Sequence, residues 1–213
     1  PTASVVSLVG SGADPAVART SDVLTLTVSG ADPEGDAVSF TYTRLVDGVP
    51  VYQEGPVAAT TSSLDGQLYF DRGQTVQAEI QPEDTVSSGT AVYSSQLVVA
   101  NSAPSAPVVT LSPAAPAAGD ALVCSAAGSA DDDPADSIAY SYAWTQDGAV
   151  RSDLASLDTV PGSETGAGED WTCTATASDG ADSASASATV STAGACPDED
   201  LDGFYCDDCD DAD

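Results

Sequence analysis

Histidine and lysine are missing from this chain. Without histidine there is no Ser-His or Cys-His pair to activate a nucleophile, and without lysine no Schiff base can form. The lack of lysine also excludes the Lys–Asn isopeptide staples that stiffen some surface stalks. Positive charge is nearly absent: Arg19, Arg44, Arg72 and Arg151 stand against 34 acidic residues, giving a net charge of −30. Nucleic acids and anionic lipid surfaces need cationic partners, so neither is expected to bind.

Long apolar runs are also missing. None approaches the roughly 20 residues of a membrane-spanning helix. No initiator methionine or signal peptide is present, and the segment is expected to derive from a longer secreted protein. The single asparagine, Asn101, is followed by Ser102-Ala103 and is no N-glycan acceptor. No stretch of ten or more residues has the period of an amphipathic helix.

What the chain does contain is short β-rich runs. Val23–Val28, Val38–Tyr42, Val76–Ile80 and Gln96–Val99 are alternating or β-branched. Turn residues separate them, including Gly30 to Asp36, Asp47-Gly48, Asp65-Gly66 and Pro82 to Asp84. The second half repeats the plan. Phe40 to Gly48 aligns without gaps with Tyr140 to Gly148, Gly73 to Ala78 with Gly168 to Cys173, and Leu24-Thr25-Leu26 with Leu122-Val123-Cys124. A Pro-rich join runs from Asn101 to Pro107. The expected fold class is all-β, with sandwiches at 1–102 and 103–193 and an Asp/Cys-rich tail at 194–213.

In this alignment Cys124 and Cys173 stand where the first repeat has Leu26 and Ala78, with Trp144 between them and Trp171 just before the second cysteine. The order resembles the immunoglobulin pattern, in which a disulfide between the sheets packs on a strand tryptophan. That resemblance implies a Cys124–Cys173 bridge and an oxidising compartment. Ala31-Asp32-Pro33-Glu34-Gly35-Asp36, followed by a strand and then Asp-Gly, is similar to elements of bacterial PKD-type and cadherin-like domains, which occur in tandem in large surface proteins. Asp32, Glu34 and Asp36, with Asp131, Asp132, Asp133 and Asp136 as their counterpart, read either as loop-end cation ligands or as polar turns. Trp144, Trp171, Tyr42 and Tyr142 read as core residues, with a sugar-stacking platform as the competing reading.

The tail carries the sharpest chemistry. Asp198, Asp200 and Asp202 followed by Gly203 form a DxDxDG run, whose alternate carboxylates can wrap one hard cation while the glycine lets the Phe204 carbonyl join them. Oxygen donors without imidazole favour Ca²⁺. Position 12 is Cys209 rather than glutamate, so the loop is no EF-hand. It is similar instead to thrombospondin type-3 repeats. That resemblance implies that acids among Asp207, Asp208, Asp210 and Asp211 complete the shell, Asp207 and Asp210 being the expected pair. Asp211 and Asp213 would begin a second site. Cys196 is expected to pair with Cys206 or Cys209, and sequence does not choose between them.

These features point to an extracellular, non-enzymatic, calcium-binding structural module of a surface stalk, matrix or filament. Its expected partners are calcium and either a second copy or another surface protein. The alternative is an adhesin that binds a glycan or protein through sandwich loops. The stretch Ala3–Val9 is a candidate to pair with a neighbour's open sheet edge.

Overall fold

The computed structural model describes residues 1–194, and these are built almost wholly from β-strands. They form two compact units. One holds Pro1–Ala103 together with Asp131–Asp136, and the other begins with Pro104–Ala130 and resumes at Ser137.

The first unit contains β1 (Thr2–Val9), β2 (Ala18–Arg19), β3 (Val23–Ala31), β4 (Ser39–Val46), β5 (Val49–Val57), β6 (Thr61–Asp65), β7 (Thr75–Glu83), β8 (Val92–Tyr93) and β9 (Leu97–Ala100). Strands pair in the order β1-β3-β6 in one sheet and β2-β9-β7-β4-β5 in the other, with β8 added along β7. The inner faces follow from period-two alternation: Leu24, Leu26 and Val28 of β3 are buried against Phe40 and Tyr42 of β4 and Val76, Ala78 and Ile80 of β7. The stretch Ala3–Val9 lies in β1, where it pairs antiparallel with β3 of its own sheet, Leu8 opposite Leu26. Its ladder on that side is therefore already filled within the chain.

The second unit contains β10 (Val108–Ser112), β11 (Leu122–Ala127), β12 (Ala139–Gln146), β13 (Ala149–Val150), β14 (Thr159–Val160), β15 (Asp170–Ser178) and β16 (Ser183–Ser191). Its sheets are β10-β11-β14 and β13-β12-β15-β16. Cys124 of β11 and Cys173 of β15 are bridged, with Cα atoms 6.4 Å apart, and the bridge joins the two sheets. Trp144 and Trp171 pack beside it edge-on, ring centroids 6.3 Å apart, both almost wholly buried. Each indole N–H finds a partner: Trp144 donates to the Leu157 carbonyl and Trp171 to the Glu169 carboxylate. Buried indoles need such acceptors. Two sandwiches of immunoglobulin-like architecture, antiparallel except where β2 runs parallel to β9, thus follow one another along the chain. Both tryptophans and Tyr42 are core residues, which removes them as sugar platforms.

The repeats coincide in their turns as well as their cores. Asp47-Gly48 joins β4 to β5 and Asp147-Gly148 joins β12 to β13, with φ of 50° and 77° in the first and 52° and 78° in the second. Positive φ at both central residues is the type I′ hairpin geometry, whose twist matches that of the strands. Each aspartate has a second task. Asp47 Oδ1 accepts the Thr75 amide at 2.8 Å, and Asp147 Oδ1 accepts the Asp170 amide at 2.9 Å, so each hairpin tip is tied to the start of the neighbouring strand.

This bond makes a pH prediction. The Asp47 carboxyl lies below its ordinary value of 3.8, chiefly through the Thr75 amide, against an opposing push from desolvation and with help from the Thr75 hydroxyl and Gln74. A carboxyl depressed in the folded state stabilises above its unfolded value, and that contribution is lost as pH falls through the folded value. The first sandwich should therefore weaken as pH drops below about 4. Asp47→Asn keeps the acceptor oxygen and should flatten that part of the slope, as read from urea midpoints taken at successive pH values.

Candidate metal centre

Two turns of the first unit carry aspartates whose two oxygens do different work. Asp32 follows β3, and its Oδ1 accepts the backbone amides of Glu34 at 2.9 Å and Asp36 at 3.3 Å. The turn closes through Gly35, whose φ of +88° is open to glycine. Asp84 follows β7, and its Oδ1 accepts the amides of Val86 and Ser87, both at 2.7 Å. In each case local hydrogen bonds fix the carboxylate and leave Oδ2 turned elsewhere.

Strand register brings the two turns together. Ser39 at the start of β4 lies opposite Glu83 at the end of β7, so Asp36 and Asp84 emerge at one end of the sheet. Thr2 lies opposite Ala31, which puts Pro1 beside Asp32. Carboxylate oxygens of Asp32, Asp36 and Asp84, one from each, then lie within 4.8 Å of one another. The Asp32 side chain is 1% exposed, and its Oδ2 faces the first residue of the chain. The Pro1 nitrogen lies 3.1 Å from that oxygen and 3.9 Å from Asp84 Oδ2. The donors are all hard oxygens, the set that suits Ca²⁺ or Mg²⁺ rather than zinc or copper.

Of the residues singled out by sequence, Asp32 and Asp36 belong to this cluster, whereas Glu34 contributes its backbone amide to the turn. Asp84 was missed, because nothing in its spacing from Asp32 signals the meeting. Asp131, Asp132, Asp133 and Asp136 lie between β11 and β12, in the segment that belongs to the first unit. There Asp133 is 1% exposed and is hydrogen-bonded by the Thr20 hydroxyl and the Ser102 amide, and Arg72 pairs with Asp136. Asp133 is thus a buried structural acceptor. Asp198, Asp200, Asp202, Phe204, Asp207 and Asp210, with Cys196, Cys206 and Cys209, lie outside the described residues.

No protein-family profile matches the chain, and no curated protein does. Solved structures that it is similar to include the chicken interferon gamma receptor alpha chain, at 11% identity and TM-score 0.44, covering 89% of this chain and 98% of that one. A two-domain fibronectin type-III segment of chicken tenascin aligns at 16% identity and TM-score 0.42, covering 88% and 99%. Fibronectin(III)-like modules of CbhA from Clostridium thermocellum align at 11% identity and TM-score 0.30, covering 91% and 95%. The sandwich assignment stands on the strand pairing described above.

Proposed function

We propose that this chain is a non-catalytic structural segment of an extracellular surface stalk, matrix or filament, and that its Asp-rich tail binds calcium. The observation that carries the structural part is the inter-sheet bridge of Cys124 and Cys173, buried at 2% and 0% exposure in one core with two tryptophans. A disulfide built into a core belongs to an oxidising environment and holds a small sandwich against unfolding. Trp144, Trp171 and Tyr42, the aromatics that a sugar-binding face would use, are buried in the two cores. The missing histidine and lysine leave the common nucleophile–base pairs without their bases.

Calcium rests on the tail sequence. Asp198, Asp200 and Asp202 with the Phe204 carbonyl supply a first set of hard donors, and Asp207 and Asp210 complete it. So many neighbouring carboxylates repel one another until a divalent cation joins them. The test is calorimetric titration of the calcium-stripped chain with Ca²⁺. Asp200→Ala together with Asp202→Ala should weaken tail binding at least tenfold while both sandwiches melt as before. Unchanged binding in that variant would remove the tail as a calcium site.

A further inference from the structure

We propose that β16 is a self-pairing edge: two copies of the chain join antiparallel along Ser183–Ser191, about a two-fold axis at Ser187, so that their four-stranded sheets become one. The pairing stands apart from the calcium reading of the tail and from the choice among stalk, matrix and filament. Sheet order gives β16 one neighbour, β15, and among the described residues no strand bonds its other side. That side presents a row of backbone N–H and C=O groups, a template for another strand. Proteins blunt such edges with proline, charge, bulges or shortness, and the other edges here are blunted. β5 carries Pro50, Pro56 and two register shifts. β1 carries a register shift between Val5 and Ser7. β2, β6, β10, β13 and β14 run five residues or fewer. β16 has none of these devices. Its nine residues pair in unbroken register and hold no proline and no charge, in a chain of net charge −30.

Two features select a second copy as the partner. The first is pattern. β16 alternates serine or threonine with alanine or valine. With the axis at Ser187, Ser183 falls opposite Ser191, Ser185 opposite Thr189, and Ala186 opposite Ala188, so hydroxyl meets hydroxyl and methyl meets methyl. The sheet already uses this contact. Hydroxyls of Thr172 and Thr189, Thr174 and Ser187, and Thr176 and Ser185 pair at 2.8 Å between β15 and β16, and such cross-strand pairs stabilise a sheet. An off-centre axis shortens the ladder, and a one-residue slip sets serine against alanine. Asp182, just outside the strand, falls opposite Thr192, so no two acids face each other there. The second feature is unfinished burial. Trp171, Cys173 and Ala175 on the inner face of β15 are 0% exposed, whereas Ala184, Ala186 and Ala188 of β16 beside them are only half-buried. A matching strand alongside covers that margin with side chains of the same size. The contact uses one patch on both copies, so it closes at a dimer.

The experiment is sedimentation equilibrium of the full chain in calcium-free buffer, with a non-reducing denaturing gel to exclude disulfide-linked copies. Native protein should pass from monomer to dimer as its concentration rises toward about 1 mM, the weak end of specific association for a small interface. Added salt should raise the dimer fraction, because it screens the repulsion between two acidic copies. Ser187→Lys and Ser187→Glu change an exposed side chain. Each should weaken dimerisation by about tenfold or more, since the axis sets like charges face to face, and the second sandwich should melt as before. An equimolar mixture of the two variants should recover the dimer, because opposite charges then meet across the axis. Monomer at every concentration, a dimer that dissociates on adding salt, a dimer that survives both substitutions, or a mixture no better than either variant alone would overturn the inference.

Discussion

Replacing Cys124 by Leu and Cys173 by Ala should destabilise the second sandwich by about 4 kcal/mol and leave the first unchanged. The substitution copies the first repeat, where Leu26 and Ala78 fill the equivalent positions with no exposure. The core therefore stays apolar, and what is lost is mainly the crosslink. In the chain-entropy account a bridge acts on the unfolded chain, and the stabilisation grows with the logarithm of the loop it closes. Here the bridged residues are 49 apart, which puts the expected value near 4 kcal/mol. Chemical denaturation followed by tryptophan emission isolates this unit, because Trp144 and Trp171, the chain's two tryptophans, both lie in its core. A shift under 1 kcal/mol would mean the bridge is incidental to stability. Comparable loss in the first sandwich would mean the two units do not melt independently.

Arg44→Met should stabilise the first sandwich by about 1–4 kcal/mol, the range found when buried ion pairs give way to apolar residues of similar volume. Arg44 occupies the position that Trp144 holds in the second repeat, on the inner face of β4 between the buried Tyr42 and Val46. Its residue exposure is 0%, and none of its three guanidinium nitrogens has a hydrogen-bond partner. Its visible compensation is the Tyr42 ring, 5.7 Å from the guanidinium carbon, a contact worth about 2 kcal/mol when desolvated. Burial pulls the guanidinium below its ordinary value, and Glu54, Tyr42 and Tyr52 pull it back only in part. Five donors without acceptors in an apolar core cost more than one ring contact returns. Methionine fills much the same volume and carries no charge. The measurement is the urea midpoint of the first transition, followed by far-ultraviolet dichroism. A fall in that midpoint would show that the guanidinium is held by something stronger than the tyrosine ring.

Much of this was legible because it is local. Asp47-Gly48 and Asp147-Gly148 between alternating runs specify their hairpins through φ preferences of two residues, and both adopt them. The aligned repeats placed Leu26 with Cys124 and Ala78 with Cys173, so the bridge could be read before any coordinates, and it is there. Trp144 and Trp171 went to the core as their repeat positions indicated. The same alignment set Arg44 against Trp144. Arginine is ordinarily a surface residue, and only the packing of two sheets shows Arg44 enclosed.

The sequence by itself determined the strand periodicity, the hairpin tips, the cysteine pair and the charge, because each depends on residues near in the chain or on a repeat that reports its own equivalents. The tertiary structure alone decided which loops meet. Asp32 and Asp84 are 52 positions apart, and only the pairing of β4 with β7 and of β1 with β3 sets them, with Pro1, at one end of the first sandwich. Asp131–Asp136 belongs to the first unit although its neighbours on both sides belong to the second. Side-chain period and turn preference are short-range quantities, whereas the register of antiparallel strands distant in sequence is fixed by burial of a whole sheet face, and no local pattern encodes it.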